Sequence, residues 1–550
     1  MHRVVILRFR VSAANDPLKE LMSAPVEPIK LTYASPRLRA SSIVTAFTIL
    51  PLVLATVASM YASISSIGYR LTMSWPQNPW ESAIVADAWR FAHGQPIYER
   101  LPDGHATHLY GPLTSPTIGL VFKLLGTSNL YVGRLIVLMC ALAVCATLLW
   151  IYAPRRPLGW FIGAGLMLAL HYRGRAYFVE TRPDLIGALL ATLAVVVFYH
   201  AHARERWWLY VPGTVLVIGA MLYKQTYSCV AAVPFLAVLM GLHAPKRFGE
   251  VLRTITPLVA LAASIVAIKF LAPNVYFYMF KVPSLYEIGW KTRAPFAIAS
   301  LFMLSPLFVA MIGWFVLDIS QRDAIDSKLR WLIATLVVGC GAGILAYAKR
   351  GGSYNSLLLG FIPMAAFCVA MIEPMLRRLT DSNISPVVRL VGGWSIGLFI
   401  AISTFGVPNS DLWNFDGAHG GPDYASVVKT ARELEGDVIC PDDPTILMAA
   451  RNEVCRNLEA ELDATNRPGK LPPGLYEDVA DADWLIRVHG HYDGWYTPEM
   501  MTDLGFERVS NKDAGAGFRR IYSLWKRVKP APKHAVDPNR PKRRRGIPAT

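Results

Sequence analysis

Residues 41–68 read Ser41-Ser-Ile-Val-Thr-Ala-Phe-Thr-Ile-Leu-Pro-Leu-Val-Leu-Ala-Thr-Val-Ala-Ser-Met-Tyr-Ala-Ser-Ile-Ser-Ser-Ile-Gly68. The run carries no charge and exceeds the about 20 apolar residues with which a helix crosses a roughly 30 Å hydrocarbon core. Lipid offers no partner for a backbone N–H or C=O, so a segment of this kind crosses as a helix that satisfies its own hydrogen bonds. Arg37 and Arg39 precede it, and the first 40 residues are too polar for a cleaved signal peptide. The run therefore reads as an uncleaved anchor with a cytoplasmic N-terminus.

Working outward, comparable runs recur at 131–152, 158–170, 185–199, 207–223, 227–242, 255–271, 295–317, 331–348, 357–372 and 390–405. Together they predict an all-α polytopic membrane protein of about eleven spans. Residues 112–126 are also apolar, but they are short and contain Pro112, Pro116 and Lys123, which suits a helix lying on the membrane surface. Loop charge supports this count. With the N-terminus inside, the inner connections at 155–156, 204–206, 246–253, 322–330 and 377–389 are all basic.

Composition agrees, with 53% hydrophobic residues, 17% charged residues and a mean hydropathy of +0.34, far from a soluble globular enzyme. The net charge of +16 sits mainly in short loops and in the tail Pro541-Lys-Arg-Arg-Arg545, so membrane topology accounts for it without a nucleic-acid partner. The organisation expected is a cytoplasmic segment at 1–40, a transmembrane domain at 41–406 with its first extracytoplasmic loop at 68–130, a small extracytoplasmic α/β domain at 407–529, and a basic tail at 530–550 whose composition suits no packed core. Short apolar runs such as Val438-Ile-Cys440, Trp484-Leu-Ile-Arg-Val488 and Arg520-Ile-Tyr-Ser-Leu-Trp525 supply the strands of that domain. No internal repeat suggests a transporter built from related halves.

Of seven cysteines, Cys140, Cys145, Cys229, Cys340 and Cys368 lie in apolar runs and read as packing residues. Cys440 and Cys455 lie in a polar region and can form a disulfide if that region faces an oxidising compartment. His105 and His108 have no settled third ligand. A divalent metal is therefore allowed but not required, and no cofactor motif occurs.

The first loop opens with Pro79-Trp-Glu-Ser-Ala-Ile-Val-Ala-Asp-Ala-Trp-Arg-Phe-Ala, an amphipathic helix with Glu81 in its first turn. A carboxylate there gains from the helix dipole. It can also act as a general base toward a hydroxyl acceptor. Asp87, nearly two turns on, faces roughly the same way and can assist, bind metal or orient the acceptor. Gly94-Gln-Pro-Ile-Tyr98 and His108-Leu-Tyr-Gly-Pro-Leu113 follow.

This arrangement resembles the first loop of GT-C glycosyltransferases, membrane enzymes that use polyprenyl-phosphate sugars. Many of them carry an Asp-Glu pair where this chain has Trp80-Glu81, which leaves Glu81 as the match for the base. Thr181-Arg-Pro-Asp184, Lys224-Gln-Thr226 and Lys349-Arg-Gly-Gly-Ser-Tyr-Asn355 look like features of bacterial members related to protein mannosyltransferases and aminoarabinose transferases. The resemblance implies sugar transfer with inversion.

Arg182, Lys224, Lys349 and Arg350 all fall at extracytoplasmic span ends, where topology alone would deplete cations. Placed there, they can hold a phosphate whose lipid chain stays in the bilayer. Gln225, Tyr354 and Asn355 share these segments, His108 and Tyr110 lie in the first-loop motif 108–113, and all five become candidate substrate contacts. The partners expected are a polyprenyl-phosphate sugar, membrane lipids and a glycan, lipid or protein acceptor, in the plasma or inner membrane. A lipid transporter or flippase and a non-catalytic envelope-assembly protein are the rival readings, since cations at the membrane edge can also line a path for an anionic lipid.

Overall fold

The structure is a computed structural model that describes residues 36–530, apart from 102–103, 154–155, 174–177, 242–247, 304–305, 320–325, 406–420, 466–470, 490–495, 516 and 519–520. The basic tail and most of the N-terminal segment lie outside the described residues.

Each apolar run is helical. The bundle comprises α1 (Pro36–Thr72), α4 (Leu130–Tyr152), α5 (Pro157–Arg173), α6 (Asp184–Ala203), α7 (Tyr210–Tyr223), α8 (Val233–Leu239), α9 (Phe248–Leu271), α10 (Arg293–Met303), α11 (Pro306–Ile319), α12 (Ser327–Ala348), α13 (Leu358–Leu379) and α14 (Pro386–Phe405). Between α1 and α4 lie α2 (Pro79–Ala92) and α3 (Thr114–Leu125). Seven of the helices are long and apolar enough to cross a membrane by themselves. The other runs are carried by shorter helices, some continued by 3-10 turns such as Gln225–Ala232. Helix α3 is the short apolar helix expected beside the membrane, ended by Gly126 in the left-handed conformation.

Helix α13 lies at the centre, with 94% of its apolar stretch buried, whereas α1, α9 and α14 turn Leu54, Val57, Phe270, Leu271 and Leu398 outward, as a lipid solvent permits. Small residues let α14 approach α1. A Cβ on Gly393 would fall 2.1 Å from the Thr48 carbonyl oxygen, and the Ser59 and Thr404 hydroxyls hydrogen-bond at 2.8 Å.

Beyond the bundle, strands β1 (Val438–Ile439), β2 (Trp484–Val488), β3 (Phe506–Arg508) and β4 (Tyr522–Arg527) form a sheet of order β1-β2-β4-β3. The first pair is parallel and the others antiparallel, with Ile486 opposite Leu524. Helices α15 (Gly421–Glu433), α16 (Thr445–Arg451), α17 (Leu458–Thr465) and α18 (Pro473–Asp481) accompany it. Val427, Ile439, Leu475, Leu485 and Phe506 belong to a hydrophobic core separate from that of the bundle. Cys440 and Cys455 are both buried and are not joined in a disulfide, and burial pushes the Cys440 thiol far above its usual range.

The small domain is bolted to the first loop. Ser82 Oγ donates to Asp443 at 2.7 Å, Trp89 Nε1 to Asn452 at 2.9 Å, and the Ala106 N–H to Glu461 at 3.1 Å. Arg456 spans the junction, donating to the Gly104 carbonyl and pairing with Glu461 at 2.6 Å.

Candidate active site

Helix α2 starts where Asn78 caps it, its side-chain oxygen accepting the Glu81 N–H at 3.1 Å, and Pro79 supplies the fixed φ of the first turn. From Glu81 to Arg90 the helix is buried. Glu81 itself has no solvent exposure. One carboxylate oxygen accepts Arg134 Nε at 2.9 Å and the Thr181 N–H at 2.9 Å; the other accepts Arg134 Nη2 at 2.8 Å and the Gln77 N–H at 2.7 Å.

Burial opposes ionisation of Glu81. The Arg134 charge and these donors outweigh it and hold the carboxyl below its usual range. Four donors occupy the four acceptor positions that a carboxylate offers. The expectation of Glu81 as a base open to an acceptor therefore does not fit its geometry: the side chain turns inward to Arg134, and its neighbour Trp80 faces the cleft instead.

Asp87 is buried as well, accepting from Thr107 Oγ1 and from Arg90 Nη1 at 3.3 Å. Burial lifts its carboxyl to about 6, against the pull of Arg90 and Thr107. It anchors the loop around Thr107 and does not line the cleft. His108 lies behind it with its Nε2 4.0 Å from Asp87 and 2.8 Å from Ser115 Oγ. Its Nδ1 accepts the Tyr110 N–H at 3.3 Å, so the proton resides on Nε2 and is donated to Ser115, whose hydroxyl donates to the Ile84 carbonyl. Burial depresses the imidazole to about 3, so it is neutral. His108 is thus a fixed strut in the first loop.

Tyr110 is brought to the site by docking of the following residues on the end of α7. The Gly111 N–H donates to the Tyr223 carbonyl at 3.0 Å and the Leu113 N–H to Leu222 at 3.1 Å. Contact is so close that a Cβ on Gly111 would fall 1.9 Å from the Leu222 oxygen. The Tyr110 hydroxyl accepts from Arg182 Nη1 at 3.4 Å, and Lys224 Nζ lies 5.6 Å from its ring centre. Trp80 stacks obliquely over Tyr110, with ring centres 5.7 Å apart.

Of the four expected phosphate-binding cations, the structure gathers two at this point. Arg182 is 4% exposed and donates to Glu180 and, at 3.1 Å, to the Asn78 side chain. Lys224, 5% exposed, ends α7 and pairs with Asp184 at the start of α6; Asn355 Nδ2 donates to the other Asp184 oxygen at 3.4 Å. Gln225 is turned to the first loop, donating to the Leu109 carbonyl at 3.3 Å. Tyr354 packs edge-on against Tyr347.

Lys349 is half-buried and donates to the Pro283 carbonyl at 3.4 Å, holding down the 277–286 segment. Arg350 is exposed; its N–H donates to the Glu287 carbonyl at 2.8 Å, and its charge acts on Tyr286.

A cleft of about 360 Å³ opens between the start of α2 and the small domain, lined by Trp75, Gln77, Asn78, Trp80, Asp443 and Glu459 among others. Glu180, Asn78, Arg134, Asp443 and Glu459 were not singled out in the sequence. Arg134 had a visible signal, as a lone cation in the first turn of an apolar run, and Glu180 adjoins Thr181-Arg-Pro-Asp184. Asp443 and Glu459 had none, because only the docking of the small domain brings them here.

No family model and no curated protein matches the chain in sequence. In structure it is similar to ArnT from Cupriavidus metallidurans in the apo state, with a TM-score of 0.52 and 12% identity over 88% of this chain and 98% of that one. The same protein bound to undecaprenyl phosphate also gives a TM-score of 0.52, covering 99% of its chain. The oligosaccharyltransferase of Archaeoglobus fulgidus matches with a TM-score of 0.48 and 10% identity over 80% of this chain. The chain has the GT-C fold.

Proposed function

From that GT-C fold, we propose that this chain is a membrane glycosyltransferase that moves a hexose or pentose from a polyprenyl-phosphate carrier to a hydroxyl of a glycan, lipid or protein. The observation that carries this reading is that two buried cations, Arg182 and Lys224, both border Tyr110, and that Arg182 donates to Asn78, which lines the cleft. Lys224 already pairs with Asp184, yet an ammonium carries three N–H donors, so it can donate to a phosphate as well, and Arg182 adds its positive charge beside it. A neighbour solved with undecaprenyl phosphate supports a lipid-phosphate donor.

The reaction is a displacement at the anomeric carbon. The acceptor oxygen bonds to that carbon, the carbon–oxygen bond to phosphate breaks, and its electron pair leaves on the phosphate, where Arg182 and Lys224 stabilise the growing charge. Trp80 and Tyr110 shape the sugar site, with Asn355 orienting Asp184 and Lys224. Glu81 acts as a positioning residue through Arg134, which also donates to the Trp75 carbonyl at 2.7 Å. In this reading the N-terminus is cytoplasmic and the cleft and the small domain face the extracytoplasmic side of a plasma or inner membrane; the basic charge of the inner loops supports that orientation.

The test is sugar transfer by purified protein in lipid from a pool of polyprenyl-phosphate sugars, comparing the unaltered chain with Lys224→Met. Transfer by the unaltered chain, reduced on the order of a hundredfold in the variant, supports the reading. Movement of the lipid across the bilayer with no transfer from any donor would replace the enzyme by a lipid transporter.

A further inference from the structure

The assigned roles leave the acceptor proton without a destination. Glu81 is saturated by Arg134 and two backbone N–H groups. Asp87 is tied to Thr107 and Arg90, Glu180 to Arg182 and Asn78, and Asp184 to Lys224 and Asn355. Also lining the cleft, Asp443 accepts from Ser82 and Thr445 through one of its oxygens, and Asp442 from Arg487 and the Val488 N–H through one of its own.

Glu459 differs. It is on α17, lines the cleft opposite Trp80, is partly exposed to it, and makes no hydrogen bond or ion pair among the described residues. Helix α17 is held rigidly in place: Ala460 and Ala464 pack with Leu109 and Tyr278, and the Asn457 side chain caps its first turn. Asp463 sits one turn beyond Glu459, with one oxygen accepting the Tyr286 hydroxyl at 2.8 Å and the other buried without a hydrogen-bond partner among the described residues. Two donors bordering the cleft, Trp75 Nε1 and Gln77 Nε2, are likewise buried and unpartnered among the described residues. Unsatisfied donors beside an uncommitted carboxylate are what a hydroxyl-bearing acceptor would complete.

Resting on the glycosyltransferase reading, we infer that Glu459 is the general base of the reaction and that Asp463 is its positioning partner. In the step, the acceptor O–H bond breaks and its proton goes to a Glu459 oxygen. The electron pair of that bond becomes the new oxygen–carbon bond, and the phosphate leaves with the pair of the broken one. Glu459 then gives the proton to Asp463 or to water.

The electrostatics agree. Burial and the neighbouring Asp463 charge raise Glu459 to about 8 while Arg182 pulls it down, and burial raises Asp463 to about 7. The Glu459 carboxylate is therefore populated increasingly as pH rises toward about 8, and in that form it takes up the acceptor proton more readily than an ordinary carboxylate. Groups around the pair are Arg182 from the loop before α6, Tyr286 from the 277–286 segment, and Asp442, Asp443 and His489, which line the same cleft.

The experiment measures transfer from polyprenyl-phosphate sugars by the full chain in lipid, with binding of polyprenyl phosphate and thermal unfolding followed on the same samples. Glu459→Gln is expected to lose on the order of a hundredfold or more in kcat, with lipid binding and unfolding unchanged. Glu459→Ala should regain part of its rate with added formate. In Asp463→Asn the acid limb of the rate profile should move to lower pH, because a charge that raises Glu459 is gone. Full transfer by a folded Glu459→Gln would overturn the inference while leaving the enzyme reading intact; no transfer by the unaltered chain would overturn that reading first. If Glu459→Gln unfolds, the Asp463→Asn profile decides, and an unmoved acid limb counts against the pair.

Discussion

Glu81 and Arg134 form a two-pronged ion pair, at 2.9 and 2.8 Å, in which neither side chain touches solvent. Arg134 also donates to the Arg70 carbonyl at 3.2 Å and to the Trp75 carbonyl at 2.7 Å, so one guanidinium ties the end of α1 to the start of α2 and to α4. Removing either partner leaves an uncompensated buried charge, a loss of about 3–5 kcal/mol. Glu81→Gln and Arg134→Met are therefore expected to lower the thermal midpoint in detergent, and the double variant to recover part of the loss. Because the folded Glu81 carboxyl is held below its ordinary value of 4.5, its contribution is complete above that pH and fades as pH falls through the folded value. Unchanged unfolding of both single variants would contradict the clamp.

Lys224 and Asp184 are expected to separate folding from binding. Lys224→Met alone strands the Asp184 charge and should both destabilise the protein and abolish binding of polyprenyl phosphate. Lys224→Met with Asp184→Asn removes both charges and should regain stability but not lipid binding. Recovery of both properties in the double variant would remove Lys224 from the phosphate site.

Gly111→Ala tests the docking of Tyr110. The added methyl cannot fit 1.9 Å from the Leu222 oxygen, so the loop must lift from α7. A loss of about 1–3 kcal/mol is expected, together with weaker donor binding, since Tyr110 and Lys224 no longer meet. Unfolding curves and lipid binding measured side by side check it.

His108 should contribute a pH dependence of stability with a defined sign. Its folded pKa is lowered to about 3, so its share is complete above the unfolded value near 6.5 and is lost progressively as pH falls toward 3. Between pH 6.5 and 5 that amounts to about 2 kcal/mol, which thermal unfolding should detect and His108→Gln should flatten. The same neutrality predicts no inflection from His108 in a rate profile between pH 5 and 8.

The positions of the helices were legible from residues 41–68 and the runs like it, because a bilayer leaves the backbone no other way to satisfy its hydrogen bonds. Arg182, Lys224 and Asn355 were legible as site candidates for a related reason, since polar groups at the ends of apolar helices are costly unless used, and Tyr110 was legible through the first-loop motif 108–113. Direction was not legible. Helical spacing places Glu81 and Asp87 on about one face, but which face meets the cleft depends on Arg134, 53 residues further along the chain. Lys349 likewise resembled the other cations until Pro283 was seen to hold it.

By itself, then, the amino-acid sequence determined that this chain is a bundle of membrane helices with cations at their ends and a small mixed domain beyond them. The signals for that are local: apolar length, loop charge and strand-like runs. Only the tertiary structure decided that Glu81 is a buried strut, that Trp80 faces the cleft, and that Glu459 arrives opposite it on α17. A carboxylate's role depends on which donors surround it in space, and those donors come from residues far away along the chain.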